Sequence, residues 1–214
     1  METPKDPTSP AHRIREGLSR VAAVLRADDW ERAARAGLNP TQLAILELLE
    51  ARGSGLGVKE IAFHLGVSQP TATDSIAALA RKGYVAKRSA EADRRGVSVG
   101  LTGSGAQLLG ESGKTAGNAE SAVATLADHE QEELLLALVK VIQALQEQDA
   151  IPIQRMCATC RYFAPFAHRD AAHPHHCHFV DAPFGQPDLR IDCRDHQTAD
   201  PASRAATWEA FKAG

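Results

Sequence analysis

Residues 58–83 read VKEIAFHLGVSQPTATDSIAALARKG, and their punctuation decides the fold class. VKEIAFHL is a short helix stopped at Gly66, and Ser68 is a good N-cap for a second helix with Pro70 in its first turn, where no amide is missed. Gly83 closes that second helix. Ala72, Ile76 and Leu79 fall on one side of it, while Pro70, Thr73, Asp74 and Ala77 fall on the other. Two helices joined by a tight glycine-containing turn are a helix-turn-helix pattern. Immediately after it, YVAKRS and VSVGLT alternate apolar with polar residues around a charged tip, EADRRG, the signature of a β-hairpin. Helix, turn, helix and hairpin, in that order, make a winged helix.

Outward from this centre the pattern is helical on both sides. Ile14, Leu18, Val21, Ala22 and Leu25 recur at helical spacing between His12 and about Ala36, with Gly37 as a stop. Asn39 and Pro40 open a helix that runs through LAILELLEA to Gly53. From Ser104 to about Gln148 the chain is helical again, and Leu135, Leu138, Val139, Ile142 and Leu145 form a broad stripe that must be buried against something. Residues 1–11, with three prolines in the first ten, read as a disordered arm, 12–150 as one DNA-binding and dimerisation domain, and 151–214 as an appended tail ending in a helix, ASRAATWEAFKA. No run of about 18 apolar residues occurs, so no membrane span is expected, and METPKDPTSPAHR lacks the apolar stretch of a secretory signal. The expected location is cytoplasmic, where thiols stay reduced and clustered cysteines hold metal or do chemistry.

Charge is distributed unevenly. Between Lys59 and Thr102 seven basic residues face four acidic ones, whereas Lys140 stands against a majority of acids between Asp128 and Asp149. One segment is built to meet a polyanion. Over roughly residues 12–150 the chain resembles the MarR family of bacterial winged-helix regulators, through LNPTQLAILELLE, VKEIAFHLGVSQPTATDSIAALARKGYV and EADRRGVSVGLTGSG. The hairpin signature of that family, D-x-R, a short strand, then L-T-x-x-G, reads here Asp93-Arg94-Arg95, Gly96–Gly100, and Leu101-Thr102-Gly103-Ser104-Gly105. The resemblance implies a homodimer on double-stranded, pseudo-palindromic operator DNA, with helix 12–36 and the helices of 104–148 packed on a twofold mate. It also implies that Asp93 holds the wing arginine by a charge-assisted bond. The second helix fits the major groove, with Ser68, Gln69 and Thr71 for phosphates or base edges and Thr73 for a methyl or hydroxyl contact. Arg95 at the wing tip suits the narrow, negative minor groove. Lys59, Arg81, Lys82, Arg88 and Arg94 are candidates for phosphates. Asp74 stands where family members often carry a basic residue, so the operator sequence does not carry over from relatives.

The tail has its own chemistry. All four cysteines, Cys157, Cys160, Cys177 and Cys193, fall within 37 residues, beside six of the nine histidines, in a C-x2-C-x16-C-x15-C pattern. Four thiolates make a closed tetrahedral zinc site, and His175, His176, His178 or His196 is placed to supplement or replace a cysteine. Four cysteines also suit an iron–sulfur cluster, which would make the protein an iron or redox sensor. A metal-free Cys157–Cys160 switch is a third possibility. The tail, rich in proline, has little core of its own, so bound metal would supply much of its folding energy; Tyr162, Phe163, Phe166, Phe179 and Phe184 are expected to form an apolar cluster about it.

The expected architecture is therefore mainly α with a small β-hairpin wing: a winged helix-turn-helix with dimerisation helices plus a small Cys/His-rich, metal-bound tail. The function it predicts is a DNA-binding transcriptional regulator, in the family's commonest mode a repressor, with zinc or an iron–sulfur cluster in the tail. A ligand, metal, electrons or small-molecule effector would shift the spacing of its two recognition helices. An enzyme, such as a thiol oxidoreductase using C-x-x-C, is disfavoured, because no thioredoxin-like βαβ pattern, Ser-His-Asp arrangement or glycine-rich phosphate loop surrounds the cysteines.

Overall fold

The computed structural model describes residues 9–89, 97–111 and 117–214. The chain is mainly helical with small β-sheets and divides into two compact units, residues 1–50 with 54–125, and residues 51–53 with 126–214. Among the described residues, no helix is long and apolar enough to cross a membrane.

The first unit is the winged helix and its flanking helices. Helix α1 spans Pro10–Arg35, capped by the Ser9 hydroxyl, which accepts from the His12 amide, so residues 9–11 of the expected arm are the cap and first turn of a helix. Helix α2 (Pro40–Arg52) opens on a reciprocal cap: the Gln42 amide donates to Asn39 Oδ1 at 2.9 Å and the Asn39 amide to Gln42 Oε1 at 3.4 Å. Strand β1 (Leu56–Gly57) leads into α3 (Val58–Leu65), which ends on Gly66 in the left-handed conformation. Helix α4 (Gln69–Arg81) follows, with β2 (Val85–Ser89) and β3 (Val97–Leu101) pairing antiparallel as the hairpin. Leu56 and Gly57 add to the outer side of β3, giving a three-stranded sheet in the order β1-β3-β2. Ile45, Leu46 and Leu49 of α2, Ile61 of α3, Ala72, Ile76 and Leu79 of α4, and Val85 and Val99 of the sheet form one core. Each large aliphatic side chain so buried is worth about 1.5–3 kcal/mol.

Helices α5 (Gly103–Glu111) and α6 (Asn118–Val123) complete this unit. The L-T-x-x-G motif acquires a physical reason here. Thr102 donates its hydroxyl hydrogen to the Gly83 carbonyl at 2.7 Å and accepts from the Gly105 amide at 3.1 Å, joining the turn after α4 to the start of α5. A Cβ on Gly105 would lie 2.3 Å from the Tyr84 carbonyl oxygen and 2.8 Å from Leu101 Cδ1, so only glycine fits. Asp28 of α1, buried, caps α6 by accepting from the Ala119 amide at 3.0 Å and from Asn118 Nδ2 at 2.7 Å.

The second unit begins with α7 (Asp128–Glu147) and continues through strands β4 (Phe163–Ala164), β5 (His175–Cys177) and β6 (Ala182–Phe184), a three-stranded antiparallel sheet in that order, to α8 (Pro201–Ala213). Val139 of α7, Met156, Phe163, Leu189, Trp208 and Phe211 form its core, with Leu135, Leu136 and Ile142 packed against it. The α7 stripe, expected on a twofold mate, is thus covered in part by the chain's own tail. The aromatic cluster forms as Phe163 against Phe184 and Phe211, with Phe166 on Phe211.

Two consequences follow for stability. Gly105→Ala is expected to cost about 1–3 kcal/mol by overpacking, read as a lowered midpoint in urea unfolding; an unchanged midpoint would show that the α4–α5 junction has room to spare. Asp28 is held below the ordinary aspartate value of 3.8, first by the Ala119 amide and then by Asn118. Its stabilisation is therefore complete above that value and is lost as pH falls from there through the lower folded value. Asp28→Asn should flatten this acid limb of the thermal-melting profile, and identical profiles for the two proteins would refute the assignment.

Candidate functional site

The outward side of α4 is the first candidate. Ser68, Gln69, Thr71, Thr73, Asp74, Arg81 and Lys82 are all exposed. The Thr71 amide donates to Ser68 Oγ at 3.2 Å, and the two hydroxyls lie 2.7 Å apart, so Ser68 is engaged as the cap. Thr73 donates to the Gln69 carbonyl at 2.8 Å, which leaves its methyl as the unengaged group. Lys82 Nζ donates to the Gly37 carbonyl at 2.7 Å, tying the end of α4 to the α1–α2 turn. Two of its three protons remain for a phosphate. Gln69 and Thr71, in the first turn, are the groups best placed to reach base edges. Asp93, Arg94, Arg95 and the side chain of Arg88 lie outside the described residues.

The second candidate is a cavity of about 320 Å³ in the second unit, lined by all four cysteines. Cys157 and Cys160 flank a short 3-10 turn, in which the Cys160 amide donates to the Cys157 carbonyl at 2.9 Å. Cys177 ends β5, in register with Phe163. Cys193 is fixed through its amide, which donates to the Arg155 carbonyl at 3.0 Å. The rest of the wall is largely apolar, including Tyr162, Phe179, Pro183 and Phe184, with Asp188, Arg190 and Asp195 as its charged members. Arg190 serves the sulfurs directly: its amide donates to Cys157 Sγ at 3.3 Å and its Nη1 reaches Cys193 Sγ at 4.0 Å. Burial pushes the Cys157 thiol up to about 11, against the Arg190 amide, with Cys193, Cys160 and Cys177 adding repulsion. All four cysteines are free thiols.

The histidines take other roles. His175 is fully buried; its Nδ1 accepts from the Phe166 amide at 3.3 Å and its Nε2 faces Gln186 Oε1 at 3.0 Å. That pairing makes it a neutral core residue with the proton on Nε2. His176 lies between His168 and Asp181, and the tilted His176 and His178 rings have their centroids 4.6 Å apart. His196 Nε2 meets the Thr159 hydroxyl at 2.9 Å. None of these histidines is among the residues that line the cysteine cavity. Among the described residues, moreover, no group of three or more His, Cys, Asp or Glu is arranged to hold a single metal ion.

Sequence reasoning overlooked Arg155. It is buried, donates through Nη1 to the Ala51 carbonyl at 3.0 Å and through Nη2 to the Arg194 carbonyl, and lies 3.7 Å from Asp192 Oδ1. Its place two residues before Cys157, in a segment with no other basic neighbour, was the available signal.

Residues 36–96 match the family model described as MarR family. The fold is shared with solved structures. A MarR transcriptional regulator from Methanosarcina mazei Go1 aligns at 22% identity and TM-score 0.56, over 64% of this chain and 98% of its own. A MarR family transcriptional regulator from Streptomyces coelicolor gives 20%, 0.55, 65% and 98%. Wild-type MarR in its apo form from E. coli gives 20%, 0.50, 64% and 98%. At these identities the likeness is one of fold. No curated protein matches the chain.

Proposed function

We propose that the protein is a homodimeric DNA-binding transcriptional regulator of the repressor type, of the MarR family whose model residues 36–96 match. The observation that carries the reading is α4 itself. Its cap and its glycine stops satisfy the helix ends locally, while Gln69, Thr71 and the Thr73 methyl stay exposed on the side away from the core. A helix so presented reads the major groove through its N-terminal residues, and phosphate contacts from Arg81, Lys82, Arg88 and Arg94 would set its register. Arg95, held by Asp93, would enter the minor groove.

A twofold partner is supported by α1. Ile14, Leu18, Val21 and Leu25 lie along one helical face, yet are between 45% and 61% exposed in the single chain. A mate that covers this face would set two recognition helices about one DNA turn apart on a pseudo-palindromic operator. The second unit is then a thiolate metal module, with Cys157, Cys160, Cys177 and Cys193 as donors to zinc or an iron–sulfur cluster, and a small-molecule effector is a further candidate signal.

Two experiments test this. The full-length protein should bind DNA from upstream of its own coding sequence with an affinity that falls steeply with salt. Gln69→Ala should cost about 1–3 kcal/mol on that site with little change on random DNA, and Arg95→Ala should weaken both. Binding that shows no sequence preference and no salt dependence would end the reading. In sedimentation, Leu18→Glu combined with Val21→Glu should convert the dimer into a monomer; a dimer that survives both charges does not use α1.

A further inference from the structure

We propose that the cavity of the second unit holds a 4Fe–4S cubane, with one iron on each of Cys157, Cys160, Cys177 and Cys193. The inference rests on the reading of that unit as a thiolate metal module and commits it to one cofactor.

Size is the first ground. A tetrahedral zinc site draws its sulfurs to about 3.8 Å of one another, because each Zn–S bond is about 2.3 Å. Here the four cysteines surround a space of about 320 Å³, and no three potential donors among the described residues are arranged for a single ion. A cubane several ångström across keeps its cysteine sulfurs apart and fills such a space with inorganic sulfur and iron.

Donor type and arrangement are the second ground. Four thiols and no imidazole line the cavity, and His175, His176 and His196 are held by Gln186, Asp181 and Thr159. Cys157 has Cys160 across one turn and Cys193 across Arg190, and Cys177 lines the same space.

The surroundings are the third. Tyr162, Phe179 and Phe184 line the space with apolar surface. The Arg190 amide and guanidinium, aimed at two of the sulfurs, supply the hydrogen bonding and positive charge that stabilise the negative charge four thiolates leave on a cluster.

The test uses the full-length chain, purified anaerobically and reconstituted with ferrous iron and sulfide. The expected product is brown and carries iron and acid-labile sulfide in equal amounts, about four of each per chain. A colourless protein with one zinc, iron without sulfide, two irons with two sulfides, or no retained metal each overturns the proposal. The last of these would also remove the metal-module reading, whereas zinc would leave it standing. Cys177→Ser and Cys193→Ser should each lower iron and sulfide at least about tenfold, with Trp208 fluorescence and circular dichroism reporting that the unit still folds. His176→Ala should keep the full cluster, and its loss there would count against the all-cysteine ligand set. DNA binding is measured on the same preparations, so a failed regulator and a failed cluster are told apart.

Discussion

The hydroxyl of Thr102 fixes three things at once: where α4 is followed by its turn, where the last strand of the wing stops, and where α5 begins. It donates to the Gly83 carbonyl and accepts from the Gly105 amide, while its own amide donates to the Tyr84 carbonyl at 3.1 Å. Gly83 adopts a φ of 77°, which lets the chain leave α4 and enter β2 with three residues between them. Gly105 lets α5 approach the Tyr84 carbonyl closely enough for the hydroxyl to reach both partners. The angle between a recognition helix and its wing is set by such a junction. It explains in physical terms why a leucine, a threonine and a glycine recur at that spacing in the motif.

The second unit solves a different problem. Its strands are two or three residues long and could not stand as a sheet without a face to pack on. Trp208 and Phe211 of α8 and Val139 of α7 supply that face, with Phe163 between them. His175 belongs to the same packing: its ring contacts Phe163, Phe166, Phe184 and Phe211, and burial holds its pKa down so that it stays neutral. Cys177, at the end of the same strand, lines the cavity with the other cysteines.

Local signals made most of the first unit legible. Ser68, Gly66, Gly83 and Asn39 each act within four residues of themselves, and their caps and stops occur where the sequence puts them. The clustering of the four cysteines was legible for the same reason, as a density along the chain. What sequence could not convey was long-range. Leu56–Gly57 is too short to alternate, and its pairing with β3 depends on residues more than forty positions away. The stripe on α7 announces that something covers it without saying what, and its own tail does so in part. Histidines near cysteines look like ligands when only spacing is visible. The partners that claim them, Gln186 for His175, Asp181 for His176 and Thr159 for His196, appear only when the chain is folded.

Arg155 gives the cysteine centre a mechanical connection. Its carbonyl holds the Cys193 amide, one arm of its guanidinium holds the Arg194 carbonyl beside that cysteine, and the other arm holds the Ala51 carbonyl in the last turn of α2. Being buried, the guanidinium is costly to leave unpaired, so these bonds form and break as a set rather than one at a time. Arg155 thus ties the loop beside Cys193 to Ala51 within the second unit. A ligand transmits no more than the difference in its affinity for two arrangements of that set. A group bound at the thiols would be felt at Arg155 only to the extent that it moved the Cys193 amide, which the Arg155 carbonyl holds.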